Sequence, residues 1–204
     1  MPETEKPPQP SYLPIVPSEV TNRLLQDLGL NKDSAAQPVE IRDRIKSLTS
    51  GVFSDLIASN PDFAKDINSL LNERYSLVHS VDSALNGMAI VLKTFDYVKE
   101  SDLMLRLSSL QPDDLRLAKQ TLEDSFPKKD EDVSILQRLL SLPKVPETQV
   151  SLNECLKEVK PWSYLAGDTF NEGAAAMYKT LGVLWPKLYP PQAPTQTPPQ
   201  QPTI

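Results

Sequence analysis

The sequence predicts an all-α protein: a helical bundle built around one long central helix, with Pro-rich disordered tails at both ends. Three observations predict it. Glycine is scarce, 6 residues in 204, so few positions favour a break in helical backbone. The 20 prolines gather at the two ends and at a few internal points, where they start or stop helices. Between them, apolar residues recur three and four apart, the spacing of one buried helix face. The chain divides into a Pro-rich arm (1–17), a helical domain (18–185) and a Pro-, Gln- and Thr-rich tail (186–204).

Each element has its own reason. In the arm, "SYLPIVP" carries apolar groups and reads first as a strap on the protein's own core, second as a partner-docking peptide. Ser18 is placed to cap a short helix that Gly29 closes. Pro38 suits the first turn of a second helix, with Ile41, Ile45, Leu48, Val52 and Leu56 on its buried face and Phe53 and Ile57 widening it. Asn60–Pro61–Asp62 ends that helix and caps the next. No proline interrupts residues 62–111. Across them Ile67, Leu70, Arg74, Leu77, Val81, Ala84, Met88, Val91, Phe95 and Val98 follow a four-three seam. Leu71, Val78, Leu85 and Leu92 form a parallel column. Unbroken, this helix is about 75 Å long at 1.5 Å per residue; Asn86–Gly87 and Glu100–Ser101–Asp102 are its expected weak points. Pro112–Asp113–Asp114 starts a helix with Leu115, Ala118, Leu122 and Phe126 on one face, stopped by Pro127. Further helices are expected from Asp130, from the capping box Ser151–Glu154 with Cys155 on its apolar face, and after Pro161. The last of these uses Tyr164, Phe170, Met177, Tyr178, Leu181 and Leu184. Past Trp185 the composition cannot form a core.

The totals narrow the functions. The formal net charge is −6 with a pI near 4.9, so counterion release gives the chain no drive toward nucleic acid or anionic lipid. One cysteine allows no internal disulfide, and the N-terminus lacks the basic and apolar regions of a signal peptide. The longest uninterrupted apolar run is "MAIVL", far short of the ~20 residues a membrane span needs. The chain therefore reads as cytoplasmic, from a reducing compartment.

No chemistry is signalled. The single histidine, His79, lies two residues from both Leu77 and Val81, so it projects away from the seam into solvent. One Cys and one His cannot supply an ordinary structural zinc site. None of the six glycines falls in a phosphate-loop pattern. Paired acids such as Asp113–Asp114 sit at a helix start, where the helix dipole accounts for them. The chain is read as no enzyme, with no cofactor, metal or small-molecule substrate.

The expected function is a helical protein–protein interaction subunit, an adaptor or scaffold of a larger assembly. The alternative is a self-assembling structural or virion-associated protein. Partners are other protein subunits or a second copy of the chain. Leu71, Val78, Leu85 and Leu92 are the expected contact column. Arg74, the one polar misfit in the seam, is either a snorkelling arginine at the bundle edge or half of an ion pair that sets partner choice. Leu188, Tyr189, Pro190 and Pro191 form the most specific-looking patch of the tail. Pro14–Pro17 and Pro191–Pro194 are P-x-x-P patterns of the kind read by aromatic grooves.

Overall fold

The computed structural model describes residues 13–30, 38–126 and 168–190. Every regular element among them is an α-helix: α1 (Ser18–Asp27), α2 (Pro38–Ser59), α3 (Pro61–Arg74), α4 (Val78–Val98), α5 (Leu103–Leu107), α6 (Pro112–Ser125) and α7 (Asp168–Leu188). The helices expected from Asp130 and from Ser151, the residue Cys155, the outer arm and the tail beyond Pro190 lie outside the described residues.

The expected single long helix is corrected: residues 62–111 form α3, α4 and α5 and the turn into α6. The central helix is α4, 21 residues and about 32 Å long. It breaks from α3 at Tyr75–Leu77, where Tyr75 and Leu77 are extended (φ −116°, ψ 130° and φ −109°, ψ 128°). At its other end the chain reverses through Glu100 and Ser101, both left-handed at φ 52° and 68°. Ser101 N–H bonds the Asp96 carbonyl (2.8 Å) and Glu100 N–H that of Tyr97 (3.1 Å), the paired closure of a Schellman turn. Gly87, a suspected break, lies inside α4 and is buried.

Two of the expected local signals, Asn60 and Gly29, act where the sequence puts them. The Asn60 carboxamide oxygen accepts from Phe63 N–H at 3.1 Å, and its amide donates to the Leu107 carbonyl at 3.2 Å, so the cap of α3 also ties down α5. Gly29, at φ 62°, closes α1 with the same bond pair, Leu30 N–H to Leu25 O and Gly29 N–H to Gln26 O. Arg44 donates to the Leu28 carbonyl at 3.1 Å, a cation on the negative end of α1. Ser18 is not the cap of α1. Pro17 is, and its carbonyl receives the Val20 and Thr21 N–H groups.

The core has two lobes. α4 and α7 pair at the centre, with α2, α3, α5 and α6 around them, and the main lobe gathers Val52, Leu56, Ile67, Met88, Leu92, Phe95, Leu181 and Trp185. Leu24, Leu28, Leu30, Ile41, Ile45, Ile90 and Phe170 form a second lobe beneath α1. Burying each of these large side chains contributes about 1.5–3 kcal/mol. Three threonines of the interior satisfy their own hydroxyls: Thr94, Thr121 and Thr180 donate to the carbonyls four residues back at 2.7–2.8 Å. At the α4–α7 crossing the backbones touch. A Cβ on Gly87 would stand 2.1 Å from the Phe170 carbonyl oxygen, and one on Gly173 would stand 2.1 Å from that of Ala84.

The strap reading of the inner arm agrees with the burial of Leu13 (7% exposed) and Val16 (8%) in the main lobe. α7 runs past Trp185 to Leu188 with Pro186 inside it. Ile57, expected to widen the buried face of α2, is 53% exposed.

Candidate protein-interaction site

The break between α3 and α4 is built from its first residue. Tyr75 ends α3, its N–H still bonded to the Leu71 carbonyl at 2.9 Å. Its hydroxyl donates to the buried carboxylate of Glu172 on α7. Its ring stands edge-on to Phe126 at the end of α6, centroids 6.1 Å apart. These two anchors hold the residue extended and end the helix. Leu77 then serves as the cap of α4 but has no side-chain acceptor to offer, and no acid stands in the first turn. The outcome is an apolar step on the surface: Leu77 is 56% exposed and Val78 76%.

This elbow resets the helical phase, so the expected contact column does not form one face. Leu71 and Leu92 are fully buried, Leu85 is partly buried, and Val78 stands out in solvent. Leu77, expected within the buried seam, is exposed beside it; no local signal in the sequence marks that exchange. Arg74, one residue before Tyr75, keeps only 12% of its side chain exposed. It lies 3.7 Å from the exposed Glu73 carboxylate, and its buried Nε has no acceptor. His79 follows in the first turn of α4 and is exposed.

The tail patch is docked on its own bundle as far as it is described. Leu188 is buried, Tyr189 partly buried and Pro190 exposed; Pro191 lies outside the described residues. Tyr189 lies against Trp185, centroids 4.6 Å apart, with Lys99 Nζ 4.3 Å and the Arg106 guanidinium 4.7 Å from its ring centre. Arg106 also donates to the Leu188 carbonyl at 2.9 Å, capping α7. Burial, and then the negative charge of Asp102, push the Tyr189 phenol up to about 12, with Arg106 acting the other way. Lys99, Asp102 and Arg106 were not foreseen as neighbours of this patch. The one hint was the Trp185–Tyr189 spacing of four, which puts both rings on one helix face.

A second tyrosine marks the opposite flank of α4. Tyr97 donates to the Asp27 carboxylate, with the Arg23 guanidinium 4.0 Å and Lys93 Nζ 4.6 Å from its ring centre. Burial, reinforced by the Asp27 hydrogen bond, raises this phenol to about 12 as well. Among the described residues no three His, Cys, Asp or Glu side chains converge as a metal site would need. No helix among them is long and apolar enough to cross a membrane. Comparison with family models, curated proteins and solved structures finds no match to this chain.

Proposed function

We propose that the protein is a non-enzymatic helical interaction subunit, and that the α3–α4 elbow is a contact surface. The observation that carries this reading is the exposure of Leu77 and Val78 in the middle of an otherwise buried apolar seam. Folding gains nothing from two aliphatic side chains at 56% and 76% exposure, whereas a partner that covers them removes apolar area from water. Arg74 supports the reading from one side: its buried Nε lacks an acceptor, and a partner's carbonyl or carboxylate beside it would supply one. Self-assembly is the alternative use of the same elbow, with a second copy as the cover.

The test is affinity capture from the native source with the full chain and with Leu77→Ser/Val78→Ser side by side. Both residues are exposed, so the double variant is expected to melt within about 0.5 kcal/mol of the parent. Proteins retained in stoichiometric amount by the parent and lost by the variant support the elbow. Equal retention by both moves the contact elsewhere. Recovery of the bait alone, with a mass that grows with concentration by light scattering, selects self-assembly.

A further inference from the structure

α2 carries a second stripe beside its buried face. Arg44, Leu48, Gly51 and Asp55 follow one another four, three and four residues apart, so they lie along one flank of the helix. That flank is the floor of an open groove whose walls are Asp27 at the end of α1 and Lys93 on α4. The wall charges are engaged within the chain: Asp27 accepts from the Tyr97 hydroxyl, and Lys93 Nζ lies 3.6 Å from the Asp96 carboxylate. The floor charges are not matched in this way. Arg44 gives Nη1 to the Leu28 carbonyl and keeps the other donors of its fork. Asp55 is exposed, and no cation pairs with it among the described residues. The two stand about 16 Å apart along the helix, too far to reach each other. Between them Gly51 leaves a gap, with nothing within 4 Å of where its Cβ would sit, and the partly buried Leu48 stands beside it one turn back.

Turned end for end, this stripe is its own complement. Residues 44 and 55, and residues 48 and 51, share one midpoint, between 49 and 50. A twofold axis at that point lays α2 antiparallel on α2 of a second copy. Arg44 of each copy then faces Asp55 of the other, and Leu48 of each faces Gly51 of the other. Ion pairs close both ends, and each leucine enters the space that the opposite glycine leaves empty. The four-three-four spacing is that of a two-helix seam. A parallel pair would set arginine against arginine and aspartate against aspartate, so charge selects the antiparallel register.

We propose that this flank of α2 is a homodimer interface, in which two copies of the chain pair antiparallel through Arg44, Leu48, Gly51 and Asp55. The occupant is a second copy because the stripe, reversed, supplies the opposite charge at each end and a leucine at the gap. Exposed ion pairs contribute little each, so the pairing is reversible, with a dissociation constant in the micromolar range. In dilute solution, where the chain is single, Gly51 returns nothing for its cost to the helix; its use is in the pair. The interface includes neither Leu77 nor Val78, so it goes beyond the elbow and each fails separately.

Sedimentation equilibrium of the full chain is expected to show a mass rising from 22.7 kDa toward twice that value across the micromolar range. Asp55→Arg sets arginine against arginine, and Arg44→Glu sets glutamate against aspartate. Each alone is expected to weaken the dimer about tenfold or more. An equimolar mixture of the two variants matches opposite charges at both ends again and is expected to recover the parent's mass. A mixture that stays monomeric, single variants that associate like the parent, or a parent that remains at 22.7 kDa up to millimolar concentration overturns the proposal. Should Arg44→Glu, which gives up the bond to the Leu28 carbonyl, not fold, Gly51→Leu decides. It is expected to melt no lower than the parent, because nothing lies where its Cβ would sit, and to weaken the dimer about tenfold or more by filling the seat of Leu48. Unchanged association in that variant overturns the proposal. Leu77→Ser/Val78→Ser is expected to associate like the parent; loss of its dimer would place self-association at the elbow instead and overturn the proposal.

Discussion

Two glycines at the middle of two helices show how differently the same residue serves in the two faces of this bundle. Gly51 of α2 faces outward, and a Cβ there would meet nothing within 4 Å. Gly87 of α4 faces inward, and a Cβ there would stand 2.1 Å from the Phe170 carbonyl oxygen and 2.8 Å from the Ala174 nitrogen. Both pay the backbone-entropy cost of a helical glycine. Only Gly87 returns something for it, the direct contact of two helix backbones at the centre of the fold. A glycine in a helix is therefore a site of close approach or a plain weakness, and its neighbours in space decide which.

The comparison can be broken most severely at the depth of the inner face. Val91 is 1% exposed, one turn beyond Gly87, and Val91→Asp buries a charge with no partner. The effective penalty of several kcal/mol is comparable to the whole stability of a domain, so the variant is expected to be unfolded or loosely packed by circular dichroism. An unchanged melting curve would remove Val91 from the core. Next comes Gly87→Ala, or Gly173→Ala opposite it. Helical propensity favours alanine by about 1 kcal/mol, but the two helices must part, and a net loss of about 2 kcal/mol is expected in a denaturant titration. A gain in either variant would mean that the helices do not touch there. Gly51→Ala carries the opposite sign: a gain of about 0.5–1 kcal/mol, since nothing is displaced. If Gly51→Ala and Gly87→Ala shift stability in the same direction, the inner and outer faces have been confused.

The mildest probe is alkaline titration at the flanks of α4. Tyr97 and Tyr189 each hold a phenol raised to about 12, against an ordinary value of 10.0. The raised folded value means the native state keeps a proton that the unfolded chain gives up first. Their contribution is therefore complete below pH 10 and is lost as pH rises toward about 12. Phenolate absorbance should show Tyr97 and Tyr189 titrating late, and melting temperature should fall over the same interval. In Tyr97→Phe/Tyr189→Phe the late phase should shrink by the amplitude of two phenols. Two phenols titrating at the ordinary value would mean that both rings are solvated.

Much of the helical order was legible because its signals are local. Asn60 and Pro61 mark a helix start through one side-chain acceptor and one fixed φ, and both act within four residues. Gly29 marks a stop by tolerating φ 62°. The break at Tyr75 is of another kind. No proline or glycine stands there, the cap residue Leu77 makes no side-chain cap bond, and the anchors of Tyr75 are Phe126 on α6 and Glu172, 97 residues further along the chain. Glu100 performs at φ 52° what Gly29 performs at φ 62°, so the second turn hides behind a residue that does not advertise it. The contact column failed to form one face for the same reason. Leu71 and Leu92 share a face with Val78 only while the helix is straight, and a tyrosine held by distant partners bends that count. His79, which depended on spacing within a single turn, lies exposed as expected.

The meeting of Ala84 and Gly87 with residues 170–174 also sets an order in time. During synthesis α4 is complete about 90 residues before α7, which at roughly 5–20 residues per second leaves it without its main partner for about 5–18 s. Through that interval the apolar flank of α4 is open to whatever the cell offers, and closure must bring together segments far apart in the chain, the slow kind of contact to form. A chaperone or an early-arriving partner would find its best-exposed target on α4, before the last helix has been made.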